Sequence, residues 1–193
     1  MTVDDPIARF SEVYARAADS ESFDPARCAL ATADGDGRPS VRFVLLKAFD
    51  ARGFVFYTNF ESDKSRDIAE NPSAALAFHW HTIGVQVRIS GTVTRVSDEE
   101  ADAYFATRDR GSQIGAWASK QSRSLPDRDT LNVQVTETEK RFEHVSVTRP
   151  PYWGGMRIAP DVVEFWKNRD DRLHDRWRYR CIDGEWSHQR LYP

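Results

Sequence analysis

The stretch Arg27 to Lys47, RCALATADGDGRPSVRFVLLK, decides the fold. Arg27 to Ala33 leads into Asp34-Gly35-Asp36-Gly37, and Ser40 to Lys47 returns, so two apolar runs flank a glycine-rich turn. That is the signature of a β-hairpin, because glycine accepts the positive φ that tight turns demand. Towards the amino terminus lies a short helix, Pro6 to Ala18, with Ile7, Phe10, Tyr14 and Ala17 on one face. Towards the carboxyl terminus the strand pattern continues. A turn at Asp50 to Gly53 feeds Phe54 to Thr58, and a short helix follows, with Ser62 as its N-cap and Asn71-Pro72 as its stop. Ala74 to His79 and Val85 to Val96 are the next strands, with a bulge expected at Gly91. Ser97-Asp98-Glu99-Glu100 has the pattern of a capping box, and a second helical segment spans Arg128 to Phe142.

The last part of the chain, 155–193, returns to strands: Met156 to Ala159, Val162 to Trp166, and a hairpin around Asp183-Gly184. There Trp177, Tyr179 and Cys181 alternate with Arg176, Arg178 and Arg180, the period of a half-buried strand. Many antiparallel strands with a few inserted helices predict a mainly β fold with α additions, a barrel. With 193 residues and no repeat or long linker, one domain covering 1–193 is expected. A composition of 40% hydrophobic and 30% charged residues is that of a globular chain, and a net charge of −3 offers no basic field for nucleic acid. The apolar runs are too short to span a membrane, and Met1-Thr2-Val3-Asp4-Asp5 lacks the basic start of a signal peptide. Cys28 and Cys181 are far apart and form no CxxC, so reduced core thiols, a cytoplasmic setting and no metal site are expected.

Several charged residues sit where a barrel strand would not place them without a reason. Val163-Glu164-Phe165-Trp166 is followed by Arg172-Leu173-His174-Asp175-Arg176, in which Leu173 is the only apolar residue. Guanidinium groups present a rigid fork of donors and stack on rings, which suits planar anionic ligands. In Arg42-Phe43-Val44-Leu45-Leu46-Lys47 a cation stands at each end of an apolar run that looks buried, and each needs an anion or solvent. Tyr57-Thr58 ends the next strand and Lys64 lies in the first turn of the following helix, a combination that favours phosphate. Gln86 is a polar residue in an apolar strand and wants a partner. Tyr104 and Arg108 share a helix face at four-residue spacing, and Ser112 follows just beyond a turn containing Gly111, a second phosphate-binding pattern. Each feature also has a structural reading: a surface lysine, a core amide bonded to backbone, a helix ending in polar residues.

Taken together, these segments resemble the pyridoxine/pyridoxamine 5'-phosphate oxidases. The resemblance runs from about Asp5-Pro6 to Arg190-Leu191-Tyr192-Pro193. It is carried in the family's order by six segments: Arg42 to Lys47, Phe56-Tyr57-Thr58-Asn59, Ser112-Gln113-Ile114-Gly115-Ala116-Trp117, Ser119-Lys120-Gln121-Ser122, Tyr152-Trp153-Gly154-Gly155, and Glu164-Phe165-Trp166 with Arg172 to Arg176. It implies an FMN-binding split β-barrel, homodimeric, with each flavin held between two subunits. By that match Arg42, Phe43, Val44, Leu45, Leu46, Lys47, Tyr57, Thr58 and Lys64 hold FMN, joined by Gln86, Gln121, Ser122, Trp166 and Arg176. Lys47, Tyr104, Arg108 and Ser112 grip the substrate phosphate. Arg172 and His174 lie over the pyridine ring as the catalytic pair, Arg172 aligning C4′ and His174 orienting the ring. The implied reaction oxidises pyridoxine or pyridoxamine 5'-phosphate to pyridoxal 5'-phosphate and reduces O2 to hydrogen peroxide. Asp24, before Pro25, matches a mobile acidic residue near the family's closed site.

The chain departs from that pattern in places. Asp63 stands where the family usually has an arginine beside Lys64, so either it points to solvent or FMN is held less tightly. Lys167 follows Glu-Phe-Trp where Gln, His or Gly is usual, and the sequence starts close to its first helix, without the extension that closes over substrate in some members. Other function classes remain open on sequence alone. One is a same-fold FMN oxidase acting on another ring, as in phenazine biosynthesis. The other is a non-catalytic protein binding FMN or pyridoxal phosphate.

Overall fold

The protein is described by a computed structural model covering residues 5–193, and all of the expectation about Met1 to Asp5 except Asp5 itself lies outside the described residues. Helix α1 (Pro6–Ser20) is capped by the Asp5 carboxylate, which accepts from the Ile7 N–H at 2.9 Å. It buries Phe10 completely. That ring meets Phe49, Phe54 and Phe78 edge-on at 4.9, 4.9 and 5.3 Å, so α1 is fixed to the barrel by its apolar stripe.

The deciding hairpin forms as expected, β1 (Arg27–Ala33) pairing with β2 (Pro39–Leu45) from Arg27↔Leu45 to Ala33↔Pro39. The Asp34 carboxylate accepts from the N–H groups of Asp36 and Arg38, and Gly37 takes φ +81°. Then come β3 (Ala48–Asp50), β4 (Gly53–Asn59), α2 (Asp63–Glu70), β5 (Ser73–Trp80), β6 (Val85–Arg95), α3 (Asp98–Thr107), α4 (Arg110–Ala118), α5 (Arg128–Arg141), β7 (Trp153–Lys167), β8 (Asp175–Ile182) and β9 (Glu185–Leu191). The nine strands make one antiparallel sheet in the order β2-β1-β5-β6-β7-β4-β3, with β8 and β9 branching from β7. Alternation puts Leu76, Phe78, Trp80, Val87 and Ile89 on the inner face with Phe10.

The sheet curls so that its two edges meet where the chain passes from β2 to β3. There Leu46 N–H donates to Ala26 O at 2.9 Å and Lys47 N–H to Val55 O at 2.8 Å. Beyond that point β2 and β4 diverge, leaving the barrel split along one side. The long strand β7 holds the other side together. It pairs with β6 along most of its length, with β4 through Trp153 to Ile158, and with β8 through Val162 to Lys167.

Four sequence expectations need correction. Met156 to Ala159 and Val162 to Trp166 belong to one strand, because the register steps from Ser90↔Val162 to Gly91↔Pro160 and leaves Asp161 as the extra residue of a bulge. A proline is tolerated at such a point. The run Arg42 to Leu45 is not a buried strand: β2 is a sheet edge, and Val41 and Phe43 are 71% and 75% exposed. Gly111 lies inside α4 and not in a turn, since the Asp109 carboxylate caps a new helix by accepting from the Ser112 N–H at 2.8 Å. The Ser97 cap forms, its hydroxyl accepting from Glu100 N–H, but the Glu100 carboxylate accepts from Arg157 at 2.7 Å. The box is therefore half made, and its acid ties α3 to β7.

Glycine at the bulge is a packing requirement. A Cβ on Gly91 would stand 1.9 Å from the Ala159 carbonyl oxygen, whereas one on Gly115, inside α4, would meet nothing within 4 Å. Gly91→Ala is expected to lose about 1–3 kcal/mol and Gly115→Ala to gain roughly 0.5–1 kcal/mol, both read from urea unfolding midpoints.

Candidate active site

The split between β2 and β4 opens into a cleft of about 610 Å³. β2 contributes Ser40, Arg42, Phe43, Val44 and Leu45, with Lys47 just beyond it; β4 contributes Tyr57 and Thr58, and α2 contributes Lys64. Tyr104 and Arg108 enter from the end of α3, Gln121 and Ser122 from the segment after α4, and Trp153 from the start of β7. Leu46 does not line it; alternation turns that side chain into the core, where it is 4% exposed.

Lys64 sets the electrostatics of the cleft. It is only 8% exposed, and its Nζ donates to Thr58 Oγ1 at 3.2 Å, Ser62 Oγ at 3.1 Å and Gln121 Oε1 at 3.3 Å, all neutral acceptors. Burial, with Arg42 adding repulsion, pushes its pKa down to about 8 against the partial opposition of Asp63 and Asp67. Ser62 thus spends its hydroxyl on Lys64, Ser65 and the Asn59 carbonyl and not on an N-cap bond to α2. Arg42 donates to Thr32 Oγ1 at 2.6 Å and Ser40 Oγ at 2.8 Å, and reaches Asp67 at 3.4 Å. With Lys47 and Arg108 the cleft holds four cations. Its one acid, Asp63, has its side chain 61% exposed at the cleft rim and paired with Arg66. A cleft so arranged lacks anions, and a dianionic phosphate would supply them.

Tyr104 and Arg108 line this cleft together, but Ser112 does not. One helix turn into α4, it lines an adjoining cavity of about 260 Å³ shared with Arg108, Gln121 and Trp153. Arg108 stands between the two cavities, its backbone extended where α3 ends. Its Nη1 is buried with no hydrogen-bond partner, and burial pushes its pKa below the usual guanidinium value.

The carboxyl-terminal residues form a second group. Gln86, Trp166 and Arg176 are direct register partners across β6, β7 and β8, so their side chains share the outer face of the sheet. His174 packs on Trp166 with ring centroids 4.3 Å apart, and its Nδ1 accepts from the Arg169 N–H. Arg172 is exposed at the end of a 3-10 turn, Asp170–Arg172, where Asp171 and Arg172 adopt φ of 54° and 61°, a backbone strain uncommon outside glycine. The run Arg172 to His174 is therefore a turn, and β8 begins at Asp175. Beside this row lies Glu164, 3% exposed and reached by Arg88, Arg176 and Arg178 at 2.8–2.9 Å. Burial alone would raise its pKa, and the Arg176 and Arg178 hydrogen bonds, helped by Arg88, bring it below the usual value. None of this group lines the cleft. β6 lies three strand spacings from β2, about 14 Å along the sheet.

Comparison with known proteins bears on this geometry. The family described as pyridoxamine 5'-phosphate oxidase matches residues 19–142, and the pyridoxine 5'-phosphate oxidase C-terminal dimerisation region matches residues 153–193. The chain belongs to the pyridoxamine 5'-phosphate oxidase family. A pyridoxine/pyridoxamine 5'-phosphate oxidase of Myxococcus xanthus is 53% identical over 98% of this chain and 92% of its own length. One from Rubrobacter xylanophilus is 51% identical over 98% of the chain and 87% of its own. Among solved structures, PhzG from Burkholderia lata in complex with tetrahydrophenazine-1-carboxylic acid superposes with TM-score 0.92 at 33% identity, covering 100% of this chain and 94% of that one. A pyridoxamine 5'-phosphate oxidase-related, FMN binding protein from Nostoc punctiforme gives TM-score 0.78 at 18% identity over the full length of both, a likeness of fold. The mainly β architecture with α additions is thus the split barrel of this family.

Two cleft features of this family member had escaped the sequence. Asp67 holds both Thr32, at 2.5 Å, and Arg42, and its i+3 spacing from Lys64 on α2 was the available signal. Trp153 was visible only as part of a motif with no role attached.

Lys64 also predicts a pH dependence for the ligand-free protein. With a folded pKa near 8 and an ordinary value of 10.5, the unfolded chain binds the extra proton between those values. Stability should therefore rise with pH across that window and be lowest below it. Lys64→Met abolishes the rise, so urea unfolding at pH 7 and pH 10 should show wild type gaining on the variant at the higher pH.

Proposed function

We propose that this protein is an FMN-dependent oxidase that converts pyridoxine 5'-phosphate or pyridoxamine 5'-phosphate to pyridoxal 5'-phosphate, with O2 reduced to hydrogen peroxide. The observation that carries the reading is the cleft itself: four cations, one of them a buried lysine bonded only to neutral oxygens, with its single acid turned outward. The donor set fits a flavin phosphate at one end, where Arg42 and Lys64 converge with Thr58, Gln121 and Ser122. It fits a substrate phosphate at the other, where Lys47, Tyr104 and Arg108 line the wall and Ser112 stands behind Arg108. Bound FMN supplies the two-electron acceptor for the C4′ hydride and the route to O2.

The chain's own residues bind and orient. The backbone of Arg42 to Lys47 offers an edge-strand ladder for a planar heteroaromatic ring. Arg108 and Lys47 neutralise the substrate phosphate and fix the pyridine ring relative to it. Arg172, exposed and strained, aligns C4′ and assists proton movement there. His174, held on Trp166 with Nδ1 occupied as an acceptor, presents Nε2 as its donor and orients the ring. Because Gln86, Trp166, Arg172, His174 and Arg176 lie on the outer sheet face away from the cleft, we infer a homodimer in which this group of one protomer completes the cleft of its partner. The exposed Val41 and Phe43 beside the cleft and the match to a dimerisation region support that arrangement. The pairing of Tyr104 with Arg108 favours a phosphate ester over an unphosphorylated ring acid as substrate.

Anaerobic titration of the FMN-reconstituted protein with pyridoxine 5'-phosphate tests the reading. The visible flavin band should bleach and return when air is admitted; a flavin that stays oxidised sinks the oxidase proposal. In aerobic turnover with the same substrate Arg172→Ala should lower the rate by about 10²-fold or more while flavin content stays near that of wild type. Equal loss of both would make Arg172 structural.

A further inference from the structure

The motif Trp153-Gly154-Gly155 is left without a role by the assignment above, and the structure gives it one. Trp153 is 7% exposed at the start of β7. Its indole is nearly parallel to Tyr57, at 5.3 Å and 13°, and to Tyr104, at 6.2 Å and 5°; the two tyrosines stack at 3.8 Å and 16°. Phe105 meets it edge-on at 5.1 Å. Gly155 makes room for the Tyr57 ring of this assembly, and Gly154 makes room for Phe60 beside it. A Cβ on Gly155 would lie 2.9 Å from the Tyr57 ring, and one on Gly154 would lie 2.6 Å from the ring of Phe60.

The guanidinium of Arg108 lies over the indole face at 4.7 Å. What holds this cation is therefore an aromatic face. The nearest acid in sequence, Asp109, acts on it only through space, since its carboxylate accepts from the Ser112 N–H at 2.8 Å and makes no hydrogen bond to Arg108. The distinction has a chemical consequence. A carboxylate would consume the in-plane N–H donors of the guanidinium and cancel its charge, whereas a π face attracts the cation from above and leaves the donors at its rim unused. Arg108 shows that state, with Nη1 buried and unpartnered between two cavities.

We infer that Trp153 is a positioning residue for the substrate phosphate: its indole holds Arg108 in the one orientation that keeps the donors free for a phosphate monoester. This rests on the phosphate-ester reading of the cleft. The role predicts an effect confined to ligands that carry the phosphate. A purely structural role would instead lower flavin content, thermal stability and turnover for every substrate.

The test compares FMN-loaded wild type, Trp153→Leu and Trp153→Phe. For Trp153→Leu, KM for pyridoxine 5'-phosphate should rise about 10-fold, with kcat within about 2-fold of wild type and flavin content unchanged. Equilibrium dialysis should show pyridoxal 5'-phosphate bound about 10-fold more weakly. Trp153→Phe keeps a weaker π face, so the loss should shrink to about 3-fold, and that variant carries the test if the leucine protein does not fold. Activity on unphosphorylated pyridoxine should be the same in all three. Unchanged KM and product affinity in both variants, or a fall in kcat and flavin content together with loss on unphosphorylated pyridoxine, overturns the inference. Failure of wild type itself to oxidise pyridoxine 5'-phosphate or bind pyridoxal 5'-phosphate overturns the reading of the cleft instead.

Discussion

The arrangement of the cleft depends on one electrostatic constraint, the burial of the Lys64 ammonium among neutral oxygens. A charge taken out of water is tolerated only where something compensates it, and here the protein supplies hydroxyls and an amide but directs its carboxylates elsewhere. Asp67 is committed to Thr32 and Arg42, and Asp63 to Arg66. That unmet demand for negative charge, in a cleft between β2 and β4, is what the proposed phosphate site rests on. It also fixes the local backbone. Ser62 gives up its N-cap bond, and the segment after α4 folds back so that Gln121 reaches Lys64 and Ser122 Oγ accepts from Asp63 N–H at 3.2 Å. Ser122 takes φ +68° to do so, a strained conformation for a residue with a side chain.

The second half of the site is built by a different means, aromatic surface. Tyr57, Tyr104 and Trp153 form a parallel stack against β7, and Arg108 rests on its outer face. Helix α3 brings Tyr104 and ends at Arg108, and it is docked by ion pairs along its acidic start. Arg157 bridges Glu100 and Asp50, and Arg149 bridges Asp98 and Asp102. The arginines come from β7 and the segment just before it, the same part of the chain that supplies Trp153. One strand thus sets both the position of α3 and the orientation of the arginine at its end.

Much of the fold was legible in the sequence because it rests on short-range signals. The Asp34 to Gly37 turn, the Gly91 bulge, the Ser97 cap and the Asp183-Gly184 turn each depend on a few neighbouring residues whose conformational preferences are strong. What was not legible rests on distant contacts. That Arg42 to Leu45 forms an exposed edge follows from sheet order, which no local pattern encodes. The start of α4 at Arg110 turns on a single cap, the Asp109 carboxylate accepting from the Ser112 N–H. The continuity of β7 through Pro160 required knowing that Gly91 faces it. In the site, cations could be read from sequence by their misfit in apolar runs, but the Arg108–Trp153 contact joins residues 45 positions apart and leaves no local trace.

The separation of the two residue groups bears on how such a site can be completed. A single twisted sheet presents β2 and the β6–β7–β8 row on different stretches of its surface, and no loop among the described residues carries one to the other. A two-fold axis solves this without further structure, because an isologous contact that brings the row of one protomer to the cleft of its partner does the same in reverse. The outer face has the composition such a contact needs. Ala29, Ala31, Ala75 and Ala77 keep it flat, Val41 and Phe43 give it apolar area, and the Glu164 carboxylate with its three arginines gives it a fixed polar centre. Glu164 lies two residues from Trp166 on the same strand face, and its partner Arg176 is itself part of the row. In the proposed dimer, the charge network at the interface would therefore also orient the side chains offered to the neighbouring cleft, so that assembly and site formation would be one event.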